Sequence, residues 1–217
     1  MNSDNDKTTY LQAREGKPTE HINKLMEVLA PLATFKSYKQ YRTIQLTDKS
    51  VQLCLLLTEG SASICRHKDG MILTNMYAPA ILGIATFNMR EDEFFIRTET
   101  NVMLGSLPVE LAVDSIRQND LLLELINLQA YYIRVLGERE FNLPGISIYE
   151  SICLHLLQLM HEPEGIRQNT SAYTYIQERT NFSRSRIMNI LSALKQGGYI
   201  KIENGKLQHV GKLPERF

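Results

Sequence analysis

The stretch that most restricts this chain is Ser183 to Val210, SRSRIMNILSALKQGGYIKIENGKLQHV. Ile187, Ile190, Leu191 and Leu194 recur at helical spacing, so a helix over Arg184–Gln196 must bury one side. Gly197-Gly198 stops that helix. The next residues, YIKIENGKLQHV, alternate on either side of Asn204-Gly205, a strong signal for a two-residue hairpin. Upstream, Ser171 to Thr180 predicts a shorter helix. Asn181 stands at the sharp turn between the helices, because asparagine tolerates the left-handed conformation better than most residues. Ser183 is placed to cap the second helix.

The order helix, turn, helix, basic hairpin is that of a winged helix-turn-helix. A rotation of about 100° per residue puts Ser185, Asn189, Ser192 and Gln196 opposite the apolar stripe, with Arg184 and Arg186 flanking the first turn. Arginine pairs bidentately with guanine, asparagine with adenine and serine with several base edges, while a helix N-terminus favours phosphate. We therefore expect Arg184, Ser185 and Asn189 to read bases, Ser192 to share their face, and Arg186, Lys201 and Lys206 to contact phosphate. The partner expected is double-stranded DNA, although a winged helix can instead dock on a protein.

A formal net charge of zero argues against nucleic acid only if charge is evenly spread. From Ile166 to Phe217 there are nine lysines and arginines against three glutamates, so this part is +6 and the remainder −6. A basic module is attached to an acidic body.

The rest of the chain reads as α+β. Residues 1–17 are polar and aperiodic, and a mobile segment is expected there. A helix is predicted from Thr19 to Ala30, with Ile22, Leu25, Met26 and Leu29 on one side. Short apolar segments at Val51–Leu57, Ala62–Cys65, Ile72–Tyr77, Phe94–Arg97 and Val102–Leu107 suit an antiparallel roll or barrel within 18–110. Beyond Pro108 the pattern becomes helical, and Leu121–Leu136 is apolar on overlapping faces through Leu122, Leu125, Ile126, Tyr132, Ile133 and Leu136. That stripe is broader than packing on one small roll requires, so 111–143 is read as a long helix and hinge, with 121–136 pairing two copies. Gly137 to Gly145 is expected to break the helix. Ser147 and Glu150 then have capping-box spacing, opening a helix through Ile148, Ile152, Leu156 and Met160 within a DNA-binding region over 144–217. His161-Glu-Pro-Glu-Gly165 should end it.

No apolar run approaches the ~20 residues of a membrane span, and the N-terminus is unlike a signal peptide, so the cytoplasm is the expected location. Cys54, Cys65 and Cys153 are far apart and lack metal or redox spacing, so buried free thiols are expected. A peroxide-responsive thiol at Cys54 or Cys65 would have only Arg66 beside it. His67, Cys65 and His21 are isolated candidates for haem. The acids and histidines form no catalytic spacing, and neither an enzyme activity nor a cofactor is expected.

Leu56-Leu57-Thr58-Glu59-Gly60-Ser61-Ala62-Ser63-Ile64, then Ile81-Leu82-Gly83, Thr98 to Leu107, the long helix and SRSRIMNILSALKQGGYI together resemble the CRP/FNR superfamily of bacterial transcription regulators. The resemblance spans about residues 20–210. Within that group the C-terminal stretch from Tyr175 is similar to the enterobacterial IprA-type regulators, implicated in control of peroxide resistance. The resemblance implies a cyclic-nucleotide-binding-like β-roll, a dimerisation helix and a C-terminal winged helix, acting as a homodimer on a two-fold operator. An activator would also contact RNA polymerase.

The departures from the family pattern bear on the ligand. Cyclic-nucleotide receptors carry Gly-Glu-Leu and later an Arg-Ser or Arg-Thr pair, whereas this chain reads Gly83-Ile84-Ala85 and Phe94-Phe95. Both polar anchors are missing, leaving Arg90 or Arg97 as substitutes, so cyclic AMP is not expected to bind. Ser185 stands where many members have a glutamate that accepts from cytosine, so the target should differ from the usual half-site.

Overall fold

The computed structural model describes residues 16–84, 93–142 and 147–214. They form two compact units, one over Gly16–Leu136 and one from Gly137 onward. The proposed mobile segment 1–17 lies outside these residues except for Gly16 and Lys17, as does Arg90.

The first unit opens with α1 (Thr19–Leu29), which buries Ile22, Leu25 and Leu29, and a 3-10 turn at Ala30–Leu32. Among the described residues nine strands follow: β1 (Thr34–Tyr38), β2 (Thr43–Gln45), β3 (Thr47–Asp48), β4 (Val51–Glu59), β5 (Ser61–Arg66), β6 (Ile72–Tyr77), β7 (Ala80–Leu82), β8 (Phe94–Thr98) and β9 (Val102–Pro108). One sheet has the order β1-β9-β4-β3, with β7 also bonded to β4; the other runs β2-β8-β5-β6. The strand pairings are antiparallel.

Alternation along β4 explains how one strand serves two layers. Cys54 and Leu56 face a helical layer with Ile81 and Leu107, whereas Leu55 and Leu57 join Ala62, Met76, Leu82 and Ile96 between the sheets. Both sides are covered, and Cys54 through Leu57 are fully buried.

The helical layer continues with α2 (Val109–Gln118) and α3 (Leu122–Asn142). They are separate helices because Asp120 takes a positive φ of 57° and the Leu121 amide returns to the Ile116 carbonyl, a Schellman-type stop. The expected break at Gly137 is absent: α3 continues through it to Asn142. One glycine costs a helix only about 1 kcal/mol, too little to end a long one. The part of the expected hinge at 143–145 lies outside the described residues.

In the second unit α4 (Ile148–Met160) starts with the expected capping box: the Glu150 amide donates to Ser147 Oγ at 3.2 Å, and the Ser147 amide donates to Glu150 Oε2 at 2.7 Å. Pro163 ends one helix and starts another, α5 (Glu164–Asn169), which was not anticipated. Then come α6 (Ala172–Gln177), α7 (Arg184–Gln196) and a hairpin of β10 (Ile200–Glu203) with β11 (Lys206–Val210). Ile152, Leu156, Tyr175, Ile176, Ile187, Leu191, Leu194, Ile200 and Leu207 meet in one core.

Candidate nucleic-acid interface

The helix α7 is held from behind. Ile187 and Leu194 are fully buried and Leu191 nearly so, while Ile190 packs at the margin. Its end is set by Gly198, whose φ is +74°; the Tyr199 amide donates to the Leu194 carbonyl and the Gly198 amide to that of Lys195. This Schellman closure lets the chain turn directly into β10. Asn204 and Gly205 have φ values of 50° and 78°, the pattern of a type I′ hairpin turn. The Ala172 amide donates to the Gly205 carbonyl at 2.9 Å. The hairpin tip is therefore tied to the first turn of α6, whose start is capped by Ser171 Oγ accepting from the Thr174 amide.

Arg184, Ser185, Arg186, Asn189 and Ser192 are all exposed; helical rotation puts Ser185, Asn189 and Ser192 on the side of α7 away from that core, with Arg184 and Arg186 flanking its first turn. Arg184 Cζ stands 5.4 Å from the centre of the Tyr173 ring, a cation–π contact that leaves the edge of the guanidinium open. The hairpin lysines differ from each other. Lys201 is exposed and paired with Glu203 at 2.9 Å, whereas Lys206 is half-buried. An exposed pair of this kind contributes only about 0–1 kcal/mol, so Lys201 can exchange its partner at little cost.

Two local expectations hold in position but not in detail. Asn181 is not among the described residues with positive φ, so the turn between α6 and α7 is made by irregular backbone over Thr180–Ser183, with Ser183 extended, rather than by a left-handed asparagine. The Thr180 hydroxyl donates to the Ile176 carbonyl at 2.9 Å and helps close α6 instead. Ser183 occupies the N-cap with extended backbone, but its side chain accepts no backbone amide. Its Oγ lies 3.2 Å from Ser185 Oγ, leaving the first-turn amides of α7 without a side-chain cap.

Sequence reasoning passed over one buried group behind this surface. Tyr175 donates to Glu162 Oε1 at 2.6 Å, and Arg179 stacks over the Tyr175 ring with Cζ 3.6 Å from its centre. The contact joins the end of α4 to α6 and fixes the platform on which α7 rests. No periodic signal marks it, since Glu162 sits in the breaker segment between helices.

Residues 148–215 match a family model described as winged helix-turn-helix DNA binding. The chain is 30% identical over 203 residues to the inhibitor of hydrogen peroxide resistance from Escherichia coli K12, covering 93% of this chain and 98% of that protein. The chain belongs to this family. Its fold is shared with the c-di-GMP responsive global regulator CLP of Xanthomonas campestris, at a TM-score of 0.68 and 15% identity over 88% of this chain and all of the other (100%). A CRP/FNR family transcriptional regulator from Thermus thermophilus matches with a TM-score of 0.56 and 19% identity, over 81% of this chain and 92% of that one. The chain thus joins a β-rich N-terminal domain, in a fold shared with those regulators, to a C-terminal region that matches the winged helix-turn-helix DNA-binding model. Among the described residues no helix is long and apolar enough to cross a membrane.

Proposed function

We propose that the protein is a homodimer that binds a two-fold DNA site in sequence-specific fashion, without a cyclic nucleotide, and so controls transcription. The observation that carries this reading is the exposed polar face of α7, where Ser185, Asn189 and Ser192 lie opposite a buried stripe and the exposed Arg184 flanks the first turn. Arg184 and Asn189 can each make a bidentate contact to a purine in the major groove, and Ser185 accepts or donates to a neighbouring base. Arg186 flanks them toward the phosphates, and Lys201 and Lys206 do the same from the hairpin.

The pairing of two copies is supported by α3, which resolves the broad stripe into two faces. Leu121, Leu125, Leu128 and Tyr132 pack on the roll. Leu123, Ile126, Ala130 and Ile133 point away from it and are exposed, with Leu123 at 63%, Ile126 at 62% and Ile133 at 71%. Positions 123, 126, 130, 133 and 137 alternate steps of three and four, the seam of a two-helix coiled coil with small residues Ala130 and Gly137 interleaved. A seam of this kind fits a second copy of itself.

The reading without a cyclic nucleotide is supported by the roll. Ile84 is buried where the family pattern has an acid, and Phe94 and Phe95 are half-buried where it has cation and hydroxyl. Arg97 Nε donates to Glu99 Oε1 at 3.0 Å, and that carboxylate also accepts from Ser63 at 2.6 Å, so the guanidinium is already engaged. A phosphate here would be desolvated without a matching charge.

The name of the Escherichia coli relative directs the proposal to peroxide-resistance genes. Direct sensing through Cys54 is disfavoured, because burial pushes its thiol up to about 12, whereas reaction with peroxide needs a thiolate. Contact with RNA polymerase would be needed only for activation.

The test is the salt dependence of binding to double-stranded DNA. Neutralising 6–10 phosphates should lower affinity by about 10³ to 10⁵ between 50 and 200 mM salt. Lys201→Ala and Lys206→Ala should each reduce the slope of log affinity against log salt by about 1, alike for every sequence. Binding insensitive to salt would instead mark an apolar protein interface.

A further inference from the structure

One side chain on the roll-facing side of α3 differs in kind from the leucines beside it. Tyr132 packs against both apolar layers of the first unit, the helical one and the one between the sheets. Its hydroxyl donates to the Ile81 carbonyl at 2.8 Å. Ile81 lies on β7, which among the described residues pairs with β4 alone, and stands two residues before Gly83. That glycine has a φ of +87°, and any Cβ there would collide with the Leu53 carbonyl, so the backbone around this bond has little freedom to shift. Burial raises the phenol's pKa above its ordinary value and keeps it a neutral donor.

Leucine at 132 would fill apolar space but could not bond the strand. A tyrosine there supplies what a small molecule lodged between roll and helix would supply: an apolar ring in the core and one directional hydrogen bond. We propose that Tyr132 is a positioning residue, an internal ligand that pins α3 to the roll and so presents the Leu123–Ile133 seam for pairing with no effector bound. The consequence for pairing rests on the homodimer reading above; the pinning of α3 does not.

The experiment compares the full-length protein with Tyr132→Phe and Tyr132→Ala, each with and without millimolar p-cresol, the tyrosine side chain as a free molecule, and with toluene as the control lacking the hydroxyl. Amide hydrogen exchange over residues 122–136 reads the pin itself, and dimer dissociation and DNA affinity read its consequence. Loss of the buried bond should speed exchange of α3 about tenfold in Tyr132→Phe, with a larger effect in Tyr132→Ala. In Tyr132→Ala, dimerisation and DNA affinity should fall by about tenfold or more; p-cresol should restore both while toluene restores only the Tyr132→Phe level. Wild type should not respond to either compound. Exchange unchanged in both variants, or exchange raised in Tyr132→Ala without recovery in p-cresol, would overturn the proposal. A wild type that stays monomeric while exchange behaves as expected would refute the homodimer reading and leave the pin standing.

Discussion

Replacing Arg184 and Asn189 together by alanine is expected to lower affinity for the specific site by on the order of 10²-fold or more, since each bidentate base contact discriminates by about 1–3 kcal/mol. Binding to unrelated DNA should change far less, because that term comes from phosphate contacts. The melting temperature should be nearly unaffected, for both side chains are exposed and neither belongs to the core formed by Ile187, Leu191 and Leu194. Arg186→Ala provides the contrast, weakening all sequences alike. Competition binding against a selected site and a scrambled site checks these results, and an equal loss on both would remove Arg184 and Asn189 from base recognition.

The second large effect is expected at the outward seam. Ile133→Asp places a charge on the most exposed of the large apolar residues on α3, at 71%. In a single copy this is nearly free. In a paired seam the carboxylate must be desolvated opposite its own copy, a cost of several kcal/mol per ion. Sedimentation should therefore show a folded monomer. Affinity for the two-fold site should fall by about 10² to 10⁴, because the half-sites are no longer bound as one unit. Leu128→Asp, at a fully buried position against the roll, should instead destabilise the first unit itself. A dimer undisturbed by Ile133→Asp would place the interface elsewhere.

These two experiments fall on features of different legibility. The exposed polar face of α7 was readable because it depends on one helix, where Ile187, Ile190, Leu191 and Leu194 fix the rotation of every other residue. The Ser147 capping box and the Asn204-Gly205 turn were readable for the same reason: their partners lie within a few positions. Strands β1, β2, β3 and β7 were not read, as they are short and mostly at sheet margins, with burial set by neighbours distant in sequence. The stripe on α3 could be seen but not divided. Which leucines face the roll depends on β4 and β7, and the Tyr132–Ile81 bond spans 51 positions. The errors at Asn181 and Ser183 have another cause. Residue preference gave the right location of the turn and the cap, but the turn forms without a positive φ at Asn181, and the Ser183 hydroxyl meets that of Ser185 instead of a backbone amide.

The departures from the family pattern gain physical content in the roll. In the proposed reading Ile84 and Phe94-Phe95 stand where the family pattern has an acid and a cation-hydroxyl pair, and Arg97, the described one of the two arginines considered as substitutes, donates to Glu99, which also accepts from Ser63. Like these groups, the Tyr132 hydroxyl finds its partner within the chain, at the Ile81 carbonyl.

The central claim, sequence-specific binding by a two-fold dimer that needs no effector, is tested most directly by incubating purified full-length protein with fragmented genomic DNA in the absence of added ligand and sequencing what it retains. The result expected is one enriched motif with two-fold symmetry, its half-sites about one helical turn, 10–10.5 base pairs, apart. Retention of DNA with no common motif, or of a single asymmetric half-site, would contradict it.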